Sequence, residues 1–337
     1  MRPSLITKAL SQVGPSRIAT WLHGPPGVGK SSVIRQAAES HGIEFLDFRP
    51  LNHDPSDVKF PIVDVANKSI EWVQSIFPTD PNWTGIIAIE ELAQAPQLMQ
   101  AALLELVLDR SLGRYKLPEG AWVVATGNRR EDAAGVARTI TPLNNRFVHL
   151  DMDVSHEDWT TWSVDHISSV TRSFMAWRPS LLHQFDAKSP EPAFPSPRSW
   201  EFVDQLYPLV SDETIHPVLA GAVGKGPAAE FVGFLKIYRD LPDLDELLAN
   251  PNTAEIPPRS NSAVMFALTG ALPDKINISD NGHCAPIVEA VQTYCRRLPQ
   301  EFSALSLLNT ISRIKGTKHQ ASVMDWVRDH KDILLGN

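Results

Sequence analysis

The chain has 337 residues, 43% of them apolar, which is enough for a sizeable core and, at this length, about two domains. With 31 basic against 39 acidic residues the net charge is −8, which excludes a general electrostatic attraction to nucleic acid, though not a local basic strip inside an oligomer. No uninterrupted apolar stretch approaches the roughly 18 residues of a membrane span, and the first residues lack the apolar core of a signal peptide, so the expected location is the cytoplasm.

In chain order, short apolar runs predict strands at 19–23, 44–48, 85–89, 121–126 and 147–150. Apolar residues at helical spacing predict helices over 30–40 and 97–109, with Leu103, Leu106 and Val107 on one face of the second. This alternation predicts an α/β domain on a mostly parallel sheet. The first strand runs into Gly24-Pro25-Pro26-Gly27-Val28-Gly29-Lys30-Ser31, followed by Ser32 and the first helix. That is a complete phosphate-binding loop in its strand–loop–helix context. Its glycines let backbone N–H groups turn toward an anion, and the helix N-terminus adds a favourable dipole. Lys30 is placed to reach the β- and γ-phosphates of ATP or a close relative, and Ser31 to ligate Mg²⁺.

The third strand ends in Glu90-Glu91, on the sheet edge where α/β proteins bind ligands. In P-loop ATPases a first acid supports the metal and a second polarises the attacking water, which assigns Glu90 to Mg²⁺ and Glu91 to the water. The bland alternative is an acid pair complementing the dipole of the next helix.

Basic pairs such as Arg129-Arg130 and Arg296-Arg297 read first as solvated or charge-paired positions. β-rich runs largely stop after Pro179, and the proline-rich stretch 189–197 reads as a stiff connector, so the expected domains are 1–188 and 189–337. The second is mostly helical by pattern, for example over 228–239 and 302–315, with an exposed loop at 250–262. Trp159, Trp162 and Trp177 read as core aromatics. Cys284 and Cys295, with His283 as the sole metal-type neighbour, form no zinc pattern and read as reduced thiols.

The order of these motifs resembles the AAA+ superfamily and, within it, the MoxR-type ATPases. Ala121-Trp122-Val123-Val124-Ala125-Thr126-Gly127-Asn128 resembles the sensor-1 strand, which implies that Asn128 orients the attacking water. Pro142-Leu143-Asn144-Asn145-Arg146-Phe147 resembles the segment whose arginine reaches a neighbouring subunit's nucleotide, implying that role for Arg146. Pro197-Arg198-Ser199-Trp200 resembles the sensor-2 start of a helical lid, making Arg198 a γ-phosphate contact by resemblance. Residues 54–78 resemble the helix-2 insertion that such proteins project toward a pore. The resemblance covers most of the chain and is strongest over residues 21–198.

Two positions depart from the family pattern. Its first acid is normally aspartate, where this chain has the longer Glu90, and the position two beyond the catalytic glutamate is usually asparagine, where this chain has Ala93. Both point to slow hydrolysis with binding preserved, since the loop and Lys30 supply most phosphate contacts. The resemblance implies an ATP- and Mg²⁺-dependent remodelling machine in a hexameric ring, with a partner carrying a von Willebrand factor A domain on another chain. Two other readings are a nucleic-acid motor or restriction-system NTPase, against which the acidity argues, and a nucleotide-gated scaffold with little turnover. Nothing in the chain names a client.

Overall fold

The computed structural model describes residues 1–129, 132, 141–276 and 284–314. They fall into two compact units, one of Met1–Asp158 with Phe185–Pro190, the other of Trp159–Gln184 with the chain from Glu191 onward. The chain therefore crosses between units at 158 and touches the first again just before the proline-rich connector.

The first unit opens with helix α1 (Pro3–Val13), followed by β1 (Thr20–His23), α2 (Lys30–His41) and β2 (Glu44–Phe48). A short α3 (Pro55–Val58) precedes the hairpin β3 (Phe60–Asp64) and β4 (Ser69–Val73). Then come β5 (Thr84–Ile89), α4 (Gln97–Asp109), the small hairpin β6 (Ser111–Leu112) and β7 (Tyr115–Lys116), and β8 (Gly120–Gly127). A one-turn α5 (Thr141–Asn144) leads to β9 (Val148–Asp151). The main sheet has the order β2-β5-β8-β1-β9 with every pairing parallel, so all five strands end on one edge.

Strand periodicity sorts the side chains into two cores. Ile86, Ala88, Leu22 and Val124 meet Ile6 and Leu10 of α1 and Val33 and Ile34 of α2. Ile87, Ile89, Trp21, Val123 and Ala125 meet Leu103 and Leu106 of α4 on the opposite face. Burial on both faces explains why β5 reads as an unbroken apolar run. Each such side chain contributes about 1.5–3 kcal/mol on leaving water. Helix α1, which strand patterning does not reveal, packs through Ile6 and Leu10, one turn apart. It ends at Gly14, where a Cβ would sit 2.3 Å from the Trp122 ring.

The stretch 54–78 forms α3 and the β3–β4 hairpin, whose Phe60, Ile62, Val63, Ile70 and Trp72 are exposed. Its base is tied down by Lys59, which pairs with Glu105 at 2.7 Å and lies over the Trp72 ring.

Most of α6 (His156–Ser163) belongs to the second unit, which continues with α7 (Ser169–Trp177), α8 (Pro197–Leu206), α9 (Ile215–Val223), α10 (Lys225–Arg239) and α11 (Leu244–Ala249). It ends with α12 (Ser262–Asp274), α13 (Cys284–Cys295) and α14 (Gln300–Ile314). Phe174, Trp200, Phe231 and Phe234 form an aromatic centre, and Trp177 stacks on Phe234. Trp159 is buried, and Trp162 stacks on His166. Ser196 caps α8 by accepting from the Ser199 N–H at 3.1 Å, so the connector stops where Pro197 takes the first helical position. Cys295 is a buried free thiol, raised to about 12 by burial; His283 and the side chain of Cys284 lie outside the described residues. No described helix is long and apolar enough to cross a membrane.

Candidate nucleotide-binding and hydrolysis site

The last residue of β1, His23, delivers the chain into the glycine-rich loop. Gly24 donates its N–H to the Gly127 carbonyl of β8 at 3.3 Å, and a Cβ there would meet the Met152 carbonyl at 2.8 Å, so only glycine fits. Gly27 and Gly29 take positive φ, +76° and +94°, the left-handed region that turns successive N–H groups to one side. Gly29 is also the residue before α2, whose first-turn N–H groups have no partners within the helix. Ser31 is half-buried and Ser32 exposed in that turn.

Lys30, the first residue of α2, is buried. Its ammonium spans the loop, donating to the Gly24 carbonyl at 2.9 Å, the Pro25 carbonyl at 3.1 Å and Asn128 Oδ1 at 3.0 Å. These three contacts hold the ammonium across the loop, where a charge-assisted bond to a phosphate oxygen is stronger than one to a neutral carbonyl.

On the same sheet edge Glu90 follows β5, with its N–H on the Phe48 carbonyl at 2.8 Å. The residue is 6% exposed, and Oε2 accepts the Thr126 hydroxyl at 2.6 Å. Oε1 is buried without a hydrogen-bond partner among the described residues. An orphaned carboxylate oxygen of this kind fits a hard cation or its water shell, as the Mg²⁺ assignment requires. Glu91 stands in the left-handed region at φ +54°, its N–H on Thr126 Oγ1 at 3.1 Å and its Oε2 receiving the Gln94 amide at 2.9 Å. Strand β8, between β5 and β1, carries Thr126 beside the acids, and Asn128, directly after it, lies beside the lysine. Lys30, Glu90, Glu91 and Asn128 thus meet at one edge.

The two arginines belong each to its own unit. Arg146, just after α5, is half-buried, with Nη1 donating to the Pro142 carbonyl and Nε buried without a partner among the described residues. Arg198 is exposed at the second position of α8 and has no hydrogen bond or ion pair among the described interactions. Arg129 is paired with Asp151 and Asp153, which raises its pKa, as a charge-partner reading expects; Arg130 lies outside the described residues.

Three features escape a motif reading. Thr126 touches both acids, and its signal is a hydroxyl in an otherwise apolar strand. Gln94 supplies an amide to Glu91 from the residue after Ala93. His23, directly before Gly24, stacks on Trp21 and bonds His149 at 2.8 Å, which in turn bonds the Asn144 carbonyl at 2.7 Å. Burial pushes the His23 pKa down to about 4, helped by His149 and by the Lys30 and Arg129 cations and opposed by Asp151.

Fold and site together place a phosphate-loop sequence, with Gly27 and Gly29 at positive φ and Lys30 buried, at the edge of a parallel α/β sheet. No protein-family model matches the sequence, and no curated protein matches it. Among solved structures the chain is similar to NtrX from Brucella abortus, at 13% identity and a TM-score of 0.36 over 97% of this chain and 67% of that one. It is also similar to a single-residue mutant of RuvB from Thermotoga maritima, at 14% identity and a TM-score of 0.38 over 74% of each chain. RuvB from the same organism, described as a Holliday junction branch migration motor, matches at 14% identity and a TM-score of 0.34 over 95% of this chain and 85% of that one. Likenesses this distant carry no weight of their own, and the reading rests on the site.

Proposed function

We propose that this chain is an ATP-hydrolysing AAA+ remodelling protein of the MoxR type, acting as a ring in which Arg146 of one subunit completes the site of the next. The observation that carries the reading is the buried Lys30 ammonium, held across the phosphate loop and against Asn128, on the edge that also bears Glu90 and Glu91. In this reading the loop N–H groups and Lys30 bind the β- and γ-phosphates, and Ser31 and Glu90 hold Mg²⁺. The metal, when bound, neutralises charge on the phosphate oxygens. Asn128 orients the attacking water, Glu91 takes its proton, and Arg146 and Arg198 stabilise charge on the transferring phosphoryl. The region 189–337 serves as the lid that carries Arg198. A partner with a von Willebrand factor A domain belongs to the same reading and rests on the motif resemblance alone.

A second reading, the nucleotide-gated scaffold, is favoured by Gln94, whose bond to Glu91 Oε2 weakens one of the two carboxylate oxygens as a base, and by the left-handed backbone of Glu91. Nucleotide retained after purification, together with single-turnover hydrolysis with and without Mg²⁺ and DNA, tests both. The expected result is bound ATP and Mg²⁺-dependent hydrolysis indifferent to DNA. Retention without turnover would select the scaffold, strong stimulation by DNA would select a nucleic-acid motor, and failure to bind ATP would overturn all three.

A further inference from the structure

We infer that Thr126 is the positioning residue that sets the two acids of this site against each other, an inference that rests on the proposed ATPase reading. Thr126 is fully buried near the end of β8, and the register pairs Ile89 with Ala125, so the residues that follow these two, Glu90 and Thr126, are neighbours across adjacent parallel strands.

A hydroxyl has one proton to give and lone pairs to receive. Here the proton goes to Glu90 Oε2 at 2.6 Å, the short distance of a charge-assisted bond, and Oγ1 accepts the Glu91 N–H at 3.1 Å. The rotor is therefore fixed from both sides. One bond leaves Glu90 with a single open oxygen, Oε1, and so fixes which oxygen faces the metal position.

The other bond acts on the backbone. Glu91 adopts a left-handed conformation that non-glycine residues rarely take, and its N–H no longer continues the strand ladder. The Thr126 oxygen takes that N–H and so holds the sharp turn that separates the direction of Glu91 from that of Glu90. A valine would fill the same volume in this β-strand and leave a buried carboxylate and a buried N–H without partners. The hydroxyl is thus needed for the acids, and the strand could have been built without it.

The test uses the full chain with Thr126→Val and Thr126→Ser, both checked by circular dichroism and thermal melting. ATP binding in EDTA should stay within about twofold of the parent, because Lys30 and the loop are untouched. The gain in affinity on adding Mg²⁺ should shrink about tenfold, with KM in Mg²⁺ rising to match, and kcat should fall about tenfold or more, the size expected for losing a hydrogen bond to a charged group. Thr126→Ser should restore both. Mg²⁺ response and kcat unchanged in Thr126→Val, while the parent binds and hydrolyses ATP, would overturn this inference and leave the ATPase reading standing. Equal impairment of the serine variant would overturn it too, since the methyl group would then be what matters. If Thr126→Val does not fold, Thr126→Ala against Thr126→Ser gives the same contrast. A parent that binds no ATP overturns the reading and the inference together.

Discussion

The candidate site residues divide into two populations that the structure treats differently. Lys30, Glu90, Glu91 and Asn128 are buried or half-buried and hydrogen-bonded to one another's neighbours through β8. Among the described residues Arg146 is held through the Pro142 carbonyl at the foot of α5, and Arg198, exposed on α8, makes no hydrogen bond or ion pair. The first group has its geometry fixed within the chain, so its energetic cost is already met in folding. In the proposed reading the second group is organised across a subunit boundary or by a closing motion.

The largest test of that contrast is Arg146→Ala. ATP binding should persist while turnover falls by about 10³ to 10⁵, and mixing with Glu91→Gln subunits should recover partial hydrolysis at interfaces that pair an intact Glu91 with an intact Arg146. No recovery in subunits shown to co-assemble would place both residues within one chain's site. Glu91→Gln by itself should lower turnover by about 10² to 10⁴ and trap bound ATP, which filter binding after a chase would register; full activity would strip Glu91 of its role. Lys30→Ala should weaken ATP binding by about 100-fold or more in calorimetry, since it deletes the buried cation spanning the loop, and unchanged affinity would reject the site itself.

The smallest effect concerns His23. Its pKa is about 4 in the folded chain against 6.5 in the unfolded one, so between these values the unfolded state binds the extra proton. Stability should therefore be fully present above pH 6.5 and decline as pH falls toward 4. Thermal melts of His23→Gln should show a shallower decline over that window; identical slopes would mean that His23 does not stay neutral there.

Most of the main sheet was legible because parallel strands buried on both faces leave unbroken apolar runs. The expected strands at 44–48 and 85–89 differ from Glu44–Phe48 and Thr84–Ile89 by at most one residue, and helix 97–109 coincides with Gln97–Asp109. The β3–β4 hairpin was not legible as strands, since Phe60, Ile62, Val63 and Ile70 face water and no alternation of burial marks them. In the site, the phosphate loop announces itself through local backbone demands at Gly27 and Gly29. Thr126 and Gln94 do not, because what makes them matter is register between strands and the turn after Glu91, which no short motif encodes. The longer side chain of Glu90, read from sequence as a reason for slow hydrolysis, reaches the Thr126 hydroxyl.

The β3–β4 hairpin carries a liability and its own remedy. A two-stranded ribbon with apolar side chains in water offers both outer edges as templates for another strand, the usual route to intermolecular pairing. Pro61, opposite Trp72, has no N–H to offer, and a proline within a ribbon is tolerated only where that N–H would have pointed outward. The edge of β3 is therefore interrupted at its second residue, and Lys68, in the turn at φ +51°, puts a charge at the tip. Pro61 and Lys68 thus weaken the β3 edge and the hairpin tip as templates for pairing between copies.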